Sequence, residues 1–541
     1  MLQKALYPLL LSVYFVVFVF SENLGEAFIN QIFRSIVILL IVTAAFLQLF
    51  KLATRNTDKA AFLTTLLLIF LVATPGLEEL VPSRLRSLKT LLLAGEAIGL
   101  ITVALLVLRR VKNWQYFNKC INVVVLALLA LPVYRITSYS LSDNGFLLEP
   151  TQKREAVTID GFKRPEGILP NIYYIIVDAY ARADTLQDYF GYDNSEFIDY
   201  LENTGFAVAH NGVANYNLTR FAISSVLNLD YLANEKGFIG DTDGQGYPHY
   251  LKNQTFNSKV GTVLHQLGYR IVTVRTADTG NYVSIANAEN LTVVSNSVSI
   301  NEFESAMLQT TLLPRIVNKR QVNNFAKQWY DEQERINFIF EEIARESGSA
   351  EPLFMVAHMM VPHHPFIYDR NGKVPNISDT DFGKPEHLQA DVKAYGDQVY
   401  YVNILLRETI DTILANSKTP PIIILQGDHG LRISIKEHNK DDFQSQRKNA
   451  CLREMLTNLN AIYLPGFDGP PDFYDSISPV NTFRIIFDTY FGSQLGNLDD
   501  RSFFTILNQE GLGHTLAEVT GEQNTCNPVW EKRFRALIPK G

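Results

Sequence analysis

The sequence predicts an integral membrane protein in which five transmembrane helices precede an α/β domain whose mostly parallel sheet is sandwiched by helices. Three observations support this prediction. Long aliphatic and aromatic runs crowd the first 140 of the 541 residues. The charge divides at the same place, because residues 1–139 carry a net +7 and the whole chain carries −8, which leaves −15 for the remainder. Beyond residue 170, short apolar runs alternate with helical patterns, which is typical of a sheet covered on both faces.

Five apolar segments approach the roughly 20 helical residues that cross a hydrocarbon core about 30 Å thick. They cover residues 5–20, 32–50, 60–74, 90–108 and 121–139. The loops on one side hold eight Lys and Arg residues and the loops on the other side hold four. The excess of positive charge predicts a cytoplasmic N-terminus. Because the number of spans is odd, everything after Tyr139 is then expected outside the cytoplasm.

The remainder of the chain divides into a linker and one large domain. Residues 141–169 are polar and irregular, and we predict a linker there, followed by a domain over residues 170–541. Apolar β-type runs cover residues 171–177, 269–274, 353–357, 421–425 and 461–464. Helical patterns cover residues 185–203, 391–415 and 480–490. Alternating strands and helices of this kind predict a parallel sheet, with reactive groups at the carboxyl ends of its strands.

Three of these predicted strands are followed by residue types that commonly bind cations. Asp178 follows the first run, His358 and His363 follow the run at 353–357, and Gly427-Asp428-His429-Gly430 follows the run at 421–425. Carboxylate oxygens and imidazole nitrogens together suit a divalent cation. An Asp after a strand is also a common helix cap or turn former, and a His beside Pro is commonly a surface residue. The glycines beside Asp428 and His429 favour the functional interpretation, because they allow close backbone approach.

These motifs resemble the alkaline-phosphatase/sulfatase-like superfamily, and within it the membrane-bound lipoteichoic-acid synthases and phosphoethanolamine transferases. The resemblance implies that Asp178, Asp428 and His429 bind the catalytic metal together with Thr219, the nucleophile, in the segment Asn215–Ser225. It also implies that His358 and His363 contact the substrate phosphate. The metal is expected to be one divalent ion, zinc or manganese first, with magnesium or calcium as alternatives.

Thr219 has two interpretations from the residues alone. A hydroxyl is a weak nucleophile, and a metal would lower its pKa enough for attack on phosphorus. Alternatively, Thr219 caps the helix that begins there, while Ser224 and Ser225 are ordinary helix residues. The resemblance favours the nucleophile.

The function that the resemblance implies is transfer of a phosphate-containing head group, such as phosphoethanolamine or phosphoglycerol. The donor would be a membrane phospholipid and the acceptor a hydroxyl of an envelope glycan or glycolipid. The location would be the inner (plasma) membrane, as a multi-pass protein with its catalytic domain on the periplasmic side. Two alternatives remain open: a membrane-anchored phosphodiesterase or sulfatase-like hydrolase that uses water as acceptor, and a non-catalytic membrane scaffold.

Charge and cysteine context argue against two kinds of function and leave one possible disulfide undecided. The net −15 of the large domain disfavours nucleic acid as a partner, because phosphate backbones require a basic surface. None of the three cysteines lies in the Cys-x-Pro-x-Arg context that sulfatases oxidise to formylglycine, so sulfate-ester hydrolysis is disfavoured. Cys451 and Cys526 pair or remain free; the sequence does not decide between the two.

Overall fold

The computed structural model describes residues 4–24, 29–79, 89–141, 161–164, 167, 169–234, 251, 254–275, 285, 288–292, 302–312, 321–375, 382–435, 443–466, 472–507 and 514–537. The predicted linker over residues 141–169 lies largely outside these residues. The chain divides into two compact units. A helical unit combines Met1–Glu149 with Val298–Phe325, and a sheet unit combines Pro150–Ser297 with Ala326–Gly541. The predicted domain boundaries did not include this return of the chain to the helical unit.

Five helices occupy the places where the sequence predicts membrane spans. They are α1 (Tyr7–Glu22), α2 (Phe33–Thr54), α3 (Thr57–Glu79), α4 (Lys89–Arg110) and α5 (Trp114–Ser140). Two helical segments of the described residues are long and apolar enough to cross a membrane: Ile29–Thr54, with a mean hydropathy of 2.4, and Trp114–Ser140, with 2.0. Large apolar side chains on α2 and α5 are exposed, among them Leu52 and Leu131. The count of five spans stays a prediction.

The sheet unit contains a seven-stranded sheet among the described residues. Its strands are β1 (Ile172–Val177), β2 (Ala207–Val208), β3 (Arg270–Arg275), β4 (Glu289–Thr292), β5 (Leu353–Met359), β6 (Ile422–Gln426) and β7 (Asn460–Tyr463). They lie in the order β2-β7-β6-β1-β5-β3-β4. Strands β6, β1, β5, β3 and β4 are parallel, and β7 is antiparallel to both of its neighbours. The predicted mostly parallel sheet is confirmed. A separate antiparallel pair follows, β8 (Phe503–Leu507) and β9 (His514–Glu518).

Helices connect the strands. In chain order they are α6 (Ala183–Phe190), α7 (Ser195–Thr204), α8 (Thr219–Asn228), α9 (Lys259–Gln266), α10 (Glu302–Gln309), α11 (Gln321–Glu346), α12 (Leu388–Asn416), α13 (Phe443–Asn449), α14 (Leu452–Leu456), α15 (Thr482–Phe491) and α16 (Pro528–Leu537). The prediction of a single helix over residues 185–203 is wrong. The chain breaks after α6 because Gly191 adopts a left-handed conformation, with φ of 63°, and caps that helix.

Both faces of the sheet are covered, as the apolar strands predict. All six residues of β1 are buried. Tyr173, Ile175 and Val177 pack into the cluster that includes helices α6, α7, α11 and α12. The alternate β1 side chains pack into a second cluster with α8, α9 and α15. Side chains on a strand alternate between faces, so a single apolar strand contributes to two cores.

Helix α10 belongs to the helical unit although it lies between strands of the sheet unit in sequence. The carboxylate of Glu304 is buried and accepts a hydrogen bond from Arg34 Nε at 2.6 Å. The ring of Phe303 packs edge-on against Phe20, with ring centroids 6.3 Å apart. A charged pair and an aromatic pair therefore attach this late segment to the first two helices.

A disulfide closes the C-terminal part of the sheet unit. Cys451 and Cys526 are bonded across 75 residues of sequence, which settles the pairing that the sequence left open. The bond brings the segment that leads into α16 to the start of α14. Cys120 is a free and exposed thiol.

Candidate active site

The carboxyl ends of three adjacent parallel strands assemble the site. Strand β1 lies between β5 and β6, and in this register His358 and Gln426 both stand opposite Ile176. Asp178 and Asp428 follow β1 and β6 directly or after one glycine, so both acids lie at the same edge of the sheet. The predicted strand ended at residue 357, but β5 continues to Met359, so His358 lies within the strand.

Asp178, Asp428 and His429 converge on one point. Each is buried and offers a ligand atom, and these atoms all lie within 4.8 Å of one another. Asp178 Oδ1 and Asp428 Oδ2 are buried and accept no hydrogen bond within the described part of the chain. Buried anionic oxygens without a donor are costly unless a cation compensates them. The donor set and its two uncompensated oxygens therefore fit a divalent metal ion.

The backbone around these ligands orients them. Asp428 Oδ1 accepts hydrogen bonds from the N–H groups of Ala179, at 3.0 Å, and His429, at 2.9 Å. His429 Nδ1 lies 2.8 Å from the carbonyl oxygen of Gly430, which can only accept, so Nδ1 bears the proton. His429 Nε2 then presents its lone pair, and it lies 3.4 Å from Asp428 Oδ2. An imidazole oriented this way is the usual form of a metal-binding histidine.

Thr219 is the first residue of α8, and its hydroxyl points at the metal-ligand set. Thr219 Oγ1 lies 3.1 Å from His429 Nε2 and 3.4 Å from Asp178 Oδ2. The residue at the cap position of the helix is Leu218, which makes no side-chain capping bond. The two serines of the same helix bond to backbone carbonyls instead, Ser224 to Leu251 and Ser225 to Ala222. Of the three hydroxyls, only that of Thr219 contacts the acidic cluster.

The two histidines of the β5 segment have different surroundings. His358 Nε2 lies 3.2 Å from Asp178 Oδ2 and is buried. His363 is half-buried, and its backbone N–H donates to the carbonyl of Asp178 at 3.0 Å. Its ring stacks on His364, and its Nδ1 bonds to the carbonyl oxygen of that residue. The structure thus brings His358 into contact with the ligand set and places His363 beside it through the main chain.

Electrostatic shifts follow this arrangement. Burial alone would raise the pKa of Asp178, but His363, His358 and His429 together lower it well below its usual range. Burial alone would lower the pKa of His358, but the hydrogen bond to Asp178 and the charges of Asp178 and Asp428 raise it overall. The acid is therefore ionised, and His358 holds its proton to a higher pH than an ordinary histidine.

The glycines of Gly427-Asp428-His429-Gly430 are required by tight backbone approach. A Cβ at Gly427 would lie 2.5 Å from the carbonyl oxygen of Tyr180, and one at Gly430 would lie 2.1 Å from that of Glu454. Gly427 therefore allows the loop after β6 to approach the turn after β1, and Gly430 allows the same loop to approach α14.

Sequence reasoning missed three residues around the site. Tyr395 of α12 donates from its hydroxyl to the carbonyl of Ala179 at 2.6 Å and accepts from the N–H of Ala181, so it holds the turn after Asp178. Glu454 is fully buried under the loop that follows His429, and Arg432 extends from that loop. The only signal for Arg432 was its position between two apolar residues three places after His429.

Residues 170–456, which contain all of these site residues, match the sulfatase family model. The match covers more than half of the chain. The chain belongs to the sulfatase family. The resemblance to the alkaline-phosphatase/sulfatase-like superfamily is confirmed, and enzymes of this superfamily depend on metal ions. A search of curated protein sequences finds no match.

Solved structures similar to this sulfatase-family chain include two kinds of protein. The C-terminal periplasmic domain of EptC from Escherichia coli is 12% identical, with 66% of this chain and 95% of that chain covered and a TM-score of 0.39. The periplasmic domain of the phosphoethanolamine transferase EptC from Campylobacter jejuni is 12% identical, with 61% and 92% covered and a TM-score of 0.37. The phosphonate monoester hydrolase of Agrobacterium radiobacter is 11% identical, with 66% and 90% covered and a TM-score of 0.40.

Proposed function

We propose that this protein transfers a phosphate-containing head group from a membrane phospholipid to a hydroxyl of an envelope glycan or glycolipid, through a phosphothreonine at Thr219. The observation that best supports this is the position of Thr219 Oγ1, which lies within hydrogen-bonding distance of both His429 and Asp178. A hydroxyl used only as a helix cap would bond to its own helix instead.

Asp178, Asp428 and His429 are the residues that would hold the divalent ion, with zinc or manganese as the first candidates and magnesium or calcium as the others. When bound, such an ion lowers the pKa of a neighbouring hydroxyl and offsets negative charge on a phosphoryl group. Two carboxylates and one neutral imidazole supply two negative charges, which match a divalent cation.

In the first half-reaction, the deprotonated Thr219 oxygen forms a bond to phosphorus, and the bond from phosphorus to the diacylglycerol oxygen breaks. That leaving oxygen takes the proton of His358, whose protonated form is favoured by its contact with the Asp178 carboxylate. In the second half-reaction, neutral His358 takes the proton of the acceptor hydroxyl as its oxygen displaces Thr219 from phosphorus. We assign His363 to binding of the phosphate, because its backbone fixes it beside Asp178.

The helical unit suits a lipid donor. We propose that α1 to α5 all cross the membrane, with the sheet unit on the periplasmic side of the inner membrane, so the phospholipid need not leave the bilayer. Exposed apolar side chains on α2, α4 and α5 support this arrangement, since a lipid environment favours such surfaces. Ile41 and Ile98 are examples, with 64% and 65% of their surface exposed.

Hydrolysis is the second candidate, because water in place of the glycan hydroxyl would use every residue of the same site. A non-catalytic scaffold has less support, since the ligand residues, the nucleophile and His358 all lie within contact of one another. A protein without activity would have no need to keep two buried carboxylate oxygens uncompensated.

The test compares two variants that each remove one hydroxyl from α8, Thr219→Ala and Ser225→Ala. Full-length proteins are incubated with mixed phospholipids, diacylglycerol release is measured, and intact mass spectrometry weighs any adduct. We expect Thr219→Ala to abolish release and the adduct while its metal content and melting temperature stay close to wild type. Ser225→Ala should keep both, because its hydroxyl bonds only to the Ala222 carbonyl.

Near-normal diacylglycerol release by Thr219→Ala, with a stability loss of about 1 kcal/mol, would make Thr219 a structural residue and end this proposal. Release of diacylglycerol with transfer of the head group to water alone would select the hydrolase.

A further inference from the structure

Arg432 is anchored at the edge of the candidate active site. It follows His429 by three residues, in the loop that leaves β6. Its neighbours Leu431 and Ile433 are buried in the main core, with 1% and 0% of their surface exposed. The N–H groups of Ile433 and Ser434 both donate to the carboxylate of Glu454. The backbone on both sides of Arg432 is therefore fixed, and only the side chain of Arg432 can change its position.

The guanidinium of Arg432 has no hydrogen-bond acceptor within the described part of the chain, although its Nε is buried. Arg407 offers a comparison, because its Nε is also without a partner among the described residues, yet its terminal nitrogens bond to the side chain and backbone of Glu196. An arginine on the other side of the β1 turn, Arg182, bonds to Asp184 through two nitrogens. A buried guanidinium nitrogen without an acceptor is costly, so a site that retains one is expected to receive an acceptor from a ligand.

The charges around Arg432 indicate the sign of that ligand. Burial lowers the pKa of Arg432, and the carboxylates of Asp178, Glu454 and Asp428 oppose this. Asp178 and Asp428 are the anionic ligands of the proposed metal, whose two charges they balance, and burial raises the pKa of Glu454 to about 8, so this acid carries little negative charge at neutral pH. The positive charge of Arg432 then remains in surplus. A site with a surplus positive charge attracts an anion.

We propose that the guanidinium of Arg432 binds the phosphate oxygens of the substrate and is the residue that selects an anionic phosphodiester over a neutral ester. This inference rests on the proposed function, because it assumes that the substrate is a phosphodiester. A planar guanidinium can donate two parallel N–H bonds to a tetrahedral anion, which an ammonium group cannot reproduce. The two uncompensated carboxylate oxygens would face the cation, and the uncompensated arginine nitrogen would face the anion.

The test uses the full-length, metal-loaded protein with inorganic phosphate as the probe. Its affinity is measured calorimetrically for wild type, Arg432→Gln, Arg432→Lys and the control Arg345→Gln. Arg345 is exposed and pairs with Glu342 on the same helix, so its loss removes a positive charge far from any role in this proposal. We expect Arg432→Gln to weaken phosphate binding about 10- to 100-fold, the usual range for a charged hydrogen bond, with metal content unchanged. Arg432→Lys should recover part of the loss, and the control should match wild type.

Phosphate binding by Arg432→Gln equal to that of wild type, with a lower melting temperature, would show that Arg432 only stabilises the loop after β6, and would overturn the inference. The same variants are assayed with a phospholipid and with a neutral ester that lacks phosphate. Arg432-dependent phosphate binding in a wild-type protein that cleaves no phospholipid would refute the proposed function and leave this inference standing. A loss of turnover confined to kcat, without any change in phosphate affinity, would also contradict it.

Discussion

At the scale of single residues, the site places two buried carboxylates where neither can be solvated. Asp178 and Asp428 each keep one oxygen without a donor in the described structure. Their other oxygens are held by His358, Thr219 and backbone N–H groups, so the two carboxylates cannot turn away from one another. Metal binding and fold stability are consequently linked through the same two charges.

Asp428→Asn should separate these two effects. The amide oxygen can still accept the hydrogen bonds from Ala179 and His429, but the anionic ligand is lost. We expect metal affinity to fall by more than the ~10- to 100-fold that is typical when a residue that only hydrogen-bonds to a metal ligand is replaced. In metal-free protein, removal of one of two neighbouring carboxylates should keep or raise the melting temperature. Metal analysis and melting curves with and without chelator measure both effects.

Asp475→Asn is the matched control, because Asp475 is exposed and accepts hydrogen bonds from the backbone of His210 and the side chain of Asn211. It should bind metal as wild type does. A metal content of Asp428→Asn equal to that of wild type would contradict the assignment of Asp428 as a ligand.

At the scale of elements, α14 stabilises the loop after β6 by hydrogen bonds to the backbone of that loop. Glu454 accepts hydrogen bonds from the backbone of Ile433 and Ser434, and its burial raises its pKa to about 8, against the effect of those bonds and of Arg432. The folded protein therefore disfavours the ionised form of Glu454 more than the unfolded chain does. Protonated Glu454 therefore contributes to the free energy of unfolding. This contribution is fully present below about pH 4.5 and is lost as the pH rises toward 8.

Glu454→Gln should flatten that pH dependence. The variant loses one of the two accepted hydrogen bonds, so we expect a lower melting temperature at acidic pH and a smaller decline from about pH 5 to about pH 8 than in wild type. Melting curves across this range measure the slope. Glu522→Gln serves as the control, since Glu522 is exposed and pairs with Arg447 at the surface. Identical slopes for wild type and Glu454→Gln would show that the acid does not titrate in this window.

Strands with continuous apolar sequence were predictable, and strands without it were not. The five predicted strands correspond to β1, β3, β5, β6 and β7. The sequence offered no such run for β2, which has two residues, or for β4, whose sequence is polar. At the site, the metal ligands stood out because acids, imidazoles and glycines clustered at strand ends, whereas Thr219 stood out as a nucleophile only through the family resemblance. Arg432 and Glu454 did not stand out, because a charged residue beside apolar ones is ordinarily exposed, and only the packed structure shows that Glu454 and the Nε of Arg432 are buried.

At the scale of the whole molecule, orientation can be tested by fusing reporters to the chain. A reporter active only outside the cytoplasm should work when fused after Gly541, because the basic loops predict an inside N-terminus and the predicted spans are odd in number. The same reporter fused after Arg55, in the loop between α2 and α3, should be inactive. Activity in the reverse pattern would refute the orientation and with it the proposed access to the phospholipid.

Because the chain returns to the helical unit late in the sequence, this unit is completed late during synthesis. Roughly 160 residues separate the end of α5 at Ser140 from Phe303, which packs on Phe20. A ribosome working at ~5–20 residues per second needs roughly ten to thirty seconds to cover that distance. During this interval Arg34 and Phe20 have left the ribosome, while Glu304 and Phe303 have not yet been made. Under the proposed topology, the first helices would therefore enter the membrane before the segment that completes their packing has been made, and an insertase or chaperone would have this interval in which to hold them.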